Sequence, residues 1–357
     1  METLLGLAEL DRGRPRVATI GVFDGLHLGH RAVLRDLVRE AQRAKVAATA
    51  VTFEPHPDVV LRGVAPPRLG DSGQLVAGMA DLGVDELVVH PFDERFSRLE
   101  PEPFMRLLGA GEGLRAFLMT SETAFGHERR GDAATVGAIG ERLGFRLVLV
   151  KPLLLGGRPV SSSRIREALA AGRLGEARRL LGRAPSVTGR VVRGAGRGRD
   201  LGFPTANLAF EGPVALPPEG VYAVRVAWRR DDGAWRARGD EAGPAAHGHG
   251  AGEAAGAQRP SRGVAGSAAP PSEGAGWRSG AGVASLGRRP TFGAGEQVLE
   301  VHVFGLAEDD TLYGTTMRVE FVRRQRGERR FASPAELVRQ MERDVRRARR
   351  ILGDSDV

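Results

Sequence analysis

Two kinds of hydrophobic pattern alternate along the first half of the chain. Apolar runs, which favour buried strands, span residues 17–22, 46–53, 86–90, 116–119 and 146–150. Apolar residues at three- and four-residue intervals, which favour helices with one buried face, begin at residue 31 and recur over 74–82, 104–108, 136–143 and 174–181. Strands that alternate with helices are typical of α/β folds. We therefore expect an α/β domain with a doubly wound parallel sheet.

The pattern changes after Pro185, where short strands follow one another without helices between them. These strands are predicted over residues 187–192, 221–228, 298–304 and 317–321. Glycine-rich turns separate them, which predicts a small antiparallel β-barrel. A capping box at Ser333-Pro-Ala-Glu336 then begins a closing helix with one apolar face. We expect two domains, at residues 1–184 and 185–357.

A segment of biased composition interrupts the predicted barrel between residues 236 and 281. It consists mostly of Gly, Ala, Pro, Ser, Arg and Glu, and its only larger apolar residues are Val264 and Trp277. Such a segment cannot bury enough apolar surface to offset its conformational entropy. We predict a disordered surface insertion between two barrel strands.

The length and composition of the chain limit the kinds of protein to which it can belong. A chain of 357 residues is too long for one ordinary core, in agreement with two domains. It has no cysteine, no apolar run of 18 residues and no basic flank at its N-terminus, so we expect a cytoplasmic protein without a membrane span. The chain has 52 basic and 44 acidic residues, yet aromatic residues make up only 5% of it. No nucleic-acid partner is therefore expected, and self-association is left open.

The most informative stretch follows the first long strand, at Gly25-Leu26-His27-Leu28-Gly29-His30. A glycine turn there precedes a helix, whose free N–H groups and positive dipole end favour an anion. His27 and His30 at the helix start predict a nucleoside triphosphate site. Two other interpretations stay open, a metal pair with Asp24 as the local carboxylate, and two structural histidines.

A second helix start, at Ser161-Ser-Ser-Arg-Ile-Arg166, follows the last predicted strand of the sheet. Its hydroxyl groups and its two arginines suit phosphate oxygens at a positively polarised helix end. Serine is also a preferred N-cap, so a capped surface helix without a ligand is the alternative.

The barrel half contains two candidate sets of polar residues. Thr205 and Asn207 follow a glycine-rich loop that includes Gly196 and Gly198, and their oxygens suit Mg²⁺ with a nucleotide. An ordinary turn is the alternative for this segment. Glu300 lies on a predicted strand with Leu299 and Val301 on the opposite face, so it is either a functional carboxylate or a solvated outer residue.

With these motifs in this order, the sequence resembles the prokaryotic bifunctional riboflavin kinase/FMN adenylyltransferase family, often called FAD synthetase. The resemblance covers nearly the whole chain. The matching pieces are Gly21-Val-Phe-Asp-Gly-Leu-His-Leu-Gly-His30, Phe53-Glu-Pro-His-Pro57, Ser161-Ser-Ser-Arg-Ile-Arg166, Gly202-Phe-Pro-Thr-Ala-Asn207, Gly220-Val-Tyr222, Arg289-Pro-Thr-Phe292, Tyr313-Gly314 and Arg326-Gly-Glu-Arg-Arg-Phe331.

The resemblance implies that the barrel makes FMN from riboflavin and ATP, and that the first domain transfers AMP from ATP to FMN. It implies that the ATP of the first domain is held by Gly21, Phe23, Asp24, His27, His30, Ser162, Ser163, Arg164 and Arg166. In the barrel it implies a Mg²⁺-nucleotide site with Gly196, Gly198, Thr205 and Asn207, and Glu300 as the base. Among these residues, His27, His30, Arg164 and Glu300 are the implied catalytic residues.

Three departures from the family pattern bear on function. The family carries a Gly-x-Asp/Asn-Phe-x-Phe-Gly segment where this chain reads Thr120-Ser-Glu-Thr-Ala-Phe-Gly126. Ser163 replaces a threonine, and Ser285 stands where an asparagine is usual. These changes leave as an alternative a working kinase with a weakened adenylyltransferase half. A basic nucleic-acid-binding protein is the alternative from another class.

Overall fold

The computed structural model describes residues 1–194, 198, 201–230, 276–288, 297–306 and 312–353. Its first half is built on a parallel sheet with the strand order β1-β4-β3-β2-β5-β6. These strands are β1 (Glu2–Leu4), β2 (Arg16–Ile20), β3 (Ala47–Glu54), β4 (Glu86–Pro91), β5 (Leu114–Thr120) and β6 (Arg146–Val150). The five predicted strands are confirmed. The sequence pattern missed β1, because it has three residues and buries only Leu4.

Helices cover both faces of this sheet. They are α1 (Leu28–Ala44), α2 (Pro57–Arg62), α3 (Ser72–Leu82), α4 (Glu94–Ser97), α5 (Pro101–Leu107), α6 (Ala133–Leu143), α7 (Ser162–Ala170) and α8 (Leu174–Leu181). Neighbouring strand residues point to opposite faces: Val17 packs with α1 and α3, whereas Ala18 packs with α5 and α6. The doubly wound α/β sheet is therefore confirmed. A short hairpin, β7 (Leu154–Leu155) and β8 (Arg158–Pro159), precedes α7.

The second half forms a closed antiparallel barrel with the strand order β10-β13-β12-β11-β14-β9. Its strands are β9 (Ser186–Val192), β10 (Ala206–Ala209), β11 (Gly220–Arg230), β12 (Arg278–Arg288), β13 (Gln297–Val303) and β14 (Thr315–Arg326). A final helix, α9 (Pro334–Leu352), packs on β11, β12 and β14. The predicted barrel with a closing helix is confirmed.

The predicted C-terminal boundary of the insertion, at residue 281, is wrong because it lies inside a barrel strand. Residues 278–281, assigned to it from composition, belong to β12 and pair with Arg225–Trp228 of β11. The Arg278 guanidinium lies over the Trp228 ring, 5.5 Å from its centroid, and a Cβ at Gly280 would lie at an ordinary contact distance of 3.4 Å from that ring. Residues 236–275 lie outside the described residues.

The two domains share a hydrophobic cluster. Leu169 and Leu181, from α7 and the end of α8, belong to the same cluster as Leu69 and the barrel interior. Between α8 and β9 there are only four residues, so the predicted boundary at Pro185 falls in a short connection. The sheet domain and the barrel therefore pack against one another over an apolar contact. Each helix within the described ranges is too short or too polar to cross a membrane.

Candidate active sites

The turn before α1 has an uncommon backbone. Phe23, Gly25 and Leu26 have φ values of 53°, 71° and 40°, in the left-handed region that favours glycine. At Gly25 no larger residue would fit, because a Cβ there would lie 2.6 Å from the Cβ of Leu69. Gly21 is also confined, since its Cβ would lie 3.0 Å from the Phe23 ring. This turn, residues 23–27, places two histidines at the start of α1, which begins three residues before the predicted position.

His27 and His30 form one unit. The His27 Nδ1 accepts a hydrogen bond from the His30 backbone N–H at 3.2 Å, so His27 is the N-cap of α1. Their imidazole rings stack with centroids 3.5 Å apart, and the Phe23 ring contacts His30 edge-on at 5.4 Å. Since the Nδ1 of His27 is an acceptor, the proton of the neutral ring lies on Nε2. His27 can therefore donate a hydrogen bond to an anion through its Nε2.

Both histidines are neutral at physiological pH. Burial lowers the pKa of His27 to about 4 and holds the pKa of His30 well below its usual value. Within the described residues no group of three or more His, Asp or Glu side chains is placed to hold a metal ion. The metal-pair interpretation therefore lacks a third ligand there, and an uncharged phosphate-binding pair fits the geometry better.

Asp24 connects this turn to α7. Its Oδ1 accepts a hydrogen bond from the Leu69 N–H at 2.9 Å, and its Oδ2 lies 2.5 Å from Nη2 of Arg166. The Ser162 Oγ donates to the Asp24 carbonyl at 3.4 Å. Burial raises the pKa of Asp24, although the Leu69 hydrogen bond and Arg166 both act in the opposite direction. The structure therefore brings Asp24, Ser162 and Arg166 to the turn that carries the histidines.

The two arginines of α7 point in different directions. Residues two apart on a helix do not share a face, whereas residues four apart do. Arg166 shares the face of Ser162 and also donates to the Pro67 carbonyl at 2.8 Å. Arg164 instead donates to carbonyls of the β7–β8 hairpin, at 2.9 Å to Leu155 and 3.1 Å to Arg158.

Arg164 also pairs with Glu176, at 3.4 Å. A phosphate contact by Arg164 stays a prediction, and in this geometry it would require the guanidinium to leave these acceptors. The two remaining predicted serines lie where α7 begins. Ser161 is its N-cap, with the Oγ accepting from the Arg164 N–H, and Ser163 is exposed on the first turn.

Sequence reasoning gave no role to two arginines that contact the turn. Nη2 of Arg183 donates to the Gly25 carbonyl at 3.3 Å, and Nε of Arg31 donates to the Leu26 carbonyl at 3.1 Å. Arg183 lies 158 residues from Gly25, so no local pattern could have found this contact. His56, in the Phe53–Pro57 motif, is the N-cap of α2 and accepts from the Asp58 N–H at 3.1 Å.

The segment that departs from the family pattern ends β5. Thr123 lies close to Thr120, with their Oγ1 atoms 2.8 Å apart, and Glu122 is exposed. The Phe125 ring contacts Phe104 at 5.0 Å and Phe117 at 5.6 Å. The phenylalanine that survives from the pattern is thus packed into the aromatic core beside the carboxyl ends of the strands.

In the barrel, the strand register aligns three candidate residues. Glu300 on β13 is paired with Asn207 on β10 and with Ser285 on β12. Directly opposed residues of antiparallel strands project to the same face, with Cβ atoms about 5 Å apart. Leu299 and Val301 are buried inside the barrel, as predicted, so Glu300 faces outward beside Asn207 and Ser285.

The glycine-rich loop passes close to the predicted metal donors. A Cβ at Gly194 would lie 2.2 Å from the Asn207 amide nitrogen, and a Cβ at Gly198 would lie 3.2 Å from Oγ1 of Thr205. The absence of a Cβ at these glycines therefore allows the loop to approach both side chains closely. Gly196 and the Arg289–Phe292 motif lie outside the described residues.

Comparisons with known proteins match both halves of the chain. The family model described as FAD synthetase matches residues 10–164, and the one described as riboflavin kinase matches residues 181–352. The bifunctional riboflavin kinase/FMN adenylyltransferase of Escherichia coli K12 is 33% identical over 339 residues, which cover 94% of this chain and 93% of that protein. The protein of that name from Pseudomonas fluorescens is 32% identical over 359 residues, 99% of each chain.

One solved structure has the same fold over nearly its whole length. It is a Streptococcus pneumoniae protein described as a macrolide-efflux protein, which matches with a TM-score of 0.72 and 23% identity and covers 96% of each chain. At this identity the match shows the arrangement of sheet domain and barrel alone.

Proposed function

The chain belongs to the prokaryotic bifunctional riboflavin kinase/FMN adenylyltransferase family, and on that premise we propose which of its residues serve each reaction. The barrel phosphorylates riboflavin with ATP, and the sheet domain transfers AMP from ATP to the FMN so formed. Family membership replaces the alternative of a basic nucleic-acid-binding protein. A cytoplasmic location, self-association and the absence of a nucleic-acid partner stay predictions.

In adenylyl transfer a phosphate oxygen of FMN attacks the α-phosphorus of ATP, and pyrophosphate leaves. The reaction needs charge stabilisation on the phosphates and alignment of the two substrates rather than a covalent intermediate. His27 and His30 would donate uncharged hydrogen bonds to the triphosphate at the N-terminus of α1. Gly21 and Phe23 would line the nucleotide, and the hydroxyls of Ser162 and Ser163 would bind phosphate oxygens at the N-terminus of α7.

Arg166 is proposed as the cation of this site. Its guanidinium lies between Asp24 and the Pro67 carbonyl, beside the turn that holds the histidines. An ATP phosphate would compete with these acceptors for the five N–H donors of the guanidinium. The observation that carries the assignment is the junction of two helix N-termini, those of α1 and α7, joined by the contacts of Asp24 with Ser162 and Arg166.

Riboflavin phosphorylation is assigned to the outer face of β10 and β13. Glu300 would accept the proton of the ribityl hydroxyl of riboflavin as the oxygen of that hydroxyl attacks the γ-phosphorus of ATP, and ADP leaves. Asn207 lies opposite Glu300 in the strand register, so the nucleotide and the base would meet on one surface. Ser285, on the other side of Glu300, would contact the same surface.

Mg²⁺ is proposed as the metal of the kinase site. Thr205 and Asn207 offer a hydroxyl and a carbonyl oxygen, and Mg²⁺ commonly takes one or two protein oxygens together with waters and substrate phosphates. The two side chains offer hard oxygen donors that suit such an ion, and the glycine-rich loop approaches both of them closely at Gly194 and Gly198. Bound there, Mg²⁺ would neutralise charge on the ATP phosphates.

The assignment of adenylyl transfer is tested with the variants His27→Ala and His30→Ala. Each variant receives FMN, ATP and Mg²⁺ in one assay and riboflavin, ATP and Mg²⁺ in another, and flavins are separated by chromatography. We expect FAD formation to fall at least about a hundredfold, since preorganised phosphate donors are worth that much, while FMN still accumulates from riboflavin. Unchanged FAD formation would refute the site.

A further inference from the structure

The connection between the two domains contains a partly buried arginine that reaches the adenylyl-transfer turn. Arg183 lies between the end of α8 and the first barrel strand, β9. Burial is the largest cause that lowers its pKa, and the neighbouring cations Arg318 and Arg31 lower it further. A buried cation is costly unless its N–H groups are bonded, so its partners show where it acts.

The Arg183 guanidinium has two ends with different partners. On the barrel side Nη1 donates to the Ala184 carbonyl at 3.2 Å and to the Ser186 Oγ at 3.1 Å. On the sheet-domain side Nη2 donates to the Gly25 carbonyl at 3.3 Å and to the Leu69 carbonyl at 3.4 Å. One rigid planar group thus joins the first barrel strand to the turn.

Nη2 of Arg183 also donates to Oε1 of Gln74 at 3.5 Å. The two partners Gly25 and Leu69 adjoin the residues of the adenylyl-transfer site. Gly25 follows Asp24 in the turn, and the Leu69 N–H binds the Asp24 carboxylate. The turn depends on such support, because left-handed φ angles at Phe23 and Leu26 are unfavourable for residues other than glycine. The carbonyls of Asp24, Gly25 and Leu26 each accept from a side chain outside the turn, namely Ser162, Arg183 and Arg31.

The same stretch that carries Leu69 is also bonded to the barrel. Arg68 exchanges backbone hydrogen bonds with the barrel loop, donating to the Pro213 carbonyl and accepting from the Ala215 N–H, both at 2.9 Å. Asp71 accepts from the Thr188 hydroxyl of β9 at 2.6 Å. The position of the turn is therefore coupled to the docking of the barrel along two routes, through Arg183 and through residues 68–71.

We propose that Arg183 is a positioning residue for adenylyl transfer, which holds the turn of His27 and His30 in its phosphate-binding conformation from the barrel side. It acts through the Gly25 and Leu69 carbonyls and does not touch the substrate. The barrel consequently contributes to FAD synthesis as a structural support of the other site, besides its own kinase reaction. This inference rests on the assignment of ATP binding to His27 and His30.

The test compares Arg183→Ala and Arg183→Lys with the matched control Arg179→Ala, an exposed arginine of α8. In the full-length protein, kcat and KM for ATP are measured for FMN adenylylation, and riboflavin phosphorylation is measured separately. We expect Arg183→Ala to lower kcat/KM of adenylylation about a hundredfold, as displacement of a binding group by about 1 Å can do. Kinase turnover should stay within about twofold of wild type, and the control should leave both activities unchanged.

Arg183→Lys carries the test if the alanine variant does not fold. Lysine keeps the charge but lacks the planar fork that reaches both domains, so we expect a raised KM for ATP in adenylylation and an unchanged kinase. Wild-type adenylylation in the lysine variant would overturn the proposal, and so would an equal fall in both activities of the alanine variant. If His27→Ala leaves FAD formation intact, the assignment of the site fails instead.

Discussion

Nη2 of Arg166 lies 2.5 Å from Oδ2 of Asp24, and this ion pair joins α7 to the turn before α1. The side chains are mostly buried, with exposed fractions of 20% and 10%. Removing one partner of such a pair leaves the other charge without compensation, which costs more than removing both. The pair should therefore show a measurable coupling energy.

The first prediction is a coupling between Asp24 and Arg166 in protein stability. Asp24→Asn, Arg166→Gln and the double variant are unfolded with urea, and the free energies of unfolding are compared. We expect a coupling energy of about 2 kcal/mol, in the range of hydrogen bonds to charged groups in contact. Additive effects of the two single changes would show that the contact does not stabilise the fold.

The second prediction concerns the stability of the protein below neutral pH. In the unfolded chain a histidine has a pKa near 6.5, whereas burial lowers the pKa of folded His27 to about 4. As the pH falls, the unfolded state therefore binds a proton first. The contribution of His27 to the free energy of unfolding is fully present above pH 6.5 and is lost progressively as the pH falls to 4.

The pH dependence can be measured by urea unfolding at pH 7, 6, 5 and 4. The decrease in the free energy of unfolding that is due to His27 should approach about 3 kcal/mol at pH 4, because each unit of pKa shift corresponds to about 1.4 kcal/mol. His30 adds a loss in the same direction. The variant His27→Asn should show a shallower decline with falling pH, and a decline as steep as that of wild type would contradict the burial argument.

The third prediction concerns the altered segment at the end of β5. Thr123 replaces a phenylalanine of the family pattern, and threonine cannot replace the apolar packing of a ring. Glu122 is one methylene longer than the usual aspartate. We expect adenylyl transfer to be slower than kinase turnover, so that FMN accumulates before FAD. Chromatography of a time course that starts from riboflavin measures this order.

The paired change Glu122→Asn with Thr123→Phe should speed FAD formation and leave the kinase unchanged. Glu122→Asn alone serves as the matched control, since Thr123 then keeps its contact with Thr120. If the wild-type protein makes FAD as fast as FMN and the paired change slows FAD formation, then the segment does not slow adenylyl transfer.

The fourth prediction concerns the segment of biased composition. A stretch so poor in large apolar residues cannot add much to a core. Because residues 278–281 form part of β12, the replacement is limited to residues 236–275. Substituting a short Gly/Ser turn should leave the melting temperature and FMN production nearly unchanged. A marked loss of either would show that the segment supports the barrel.

Local patterns predicted the features that depend on local physics. A helix start beside His27 and His30 follows from the glycine turn, although α1 begins three residues before the predicted position. The outward direction of Glu300 follows from the two-residue period of a strand. The separation of Arg164 from Arg166 was also within reach of the sequence. Residues two apart on a helix cannot share a face, so only one of them could join Ser162 beside Asp24.

Other features depend on contacts between distant parts of the chain. The pairing of Asn207 with Glu300 is set by strand register across 93 residues of sequence, which the hydrophobic pattern does not specify. Strand β12 begins at Arg278, where residues 278–281 pair with β11 and the Arg278 guanidinium lies over the Trp228 ring; the composition of the segment does not indicate these contacts. Arg183 follows a helix C-terminus, where a basic residue is ordinary, and only the fold reveals its contact with Gly25.

The central claim is that two separate sites perform the two reactions, and the reciprocal pair His27→Ala and Glu300→Gln tests it most directly. Each variant is incubated with ATP and Mg²⁺ and either riboflavin or FMN, and FMN and FAD are quantified by chromatography. We predict that Glu300→Gln makes FAD from FMN at the wild-type rate but forms no FMN from riboflavin, whereas His27→Ala forms FMN and no FAD. Loss of both activities in either folded variant, or of neither, would contradict the account.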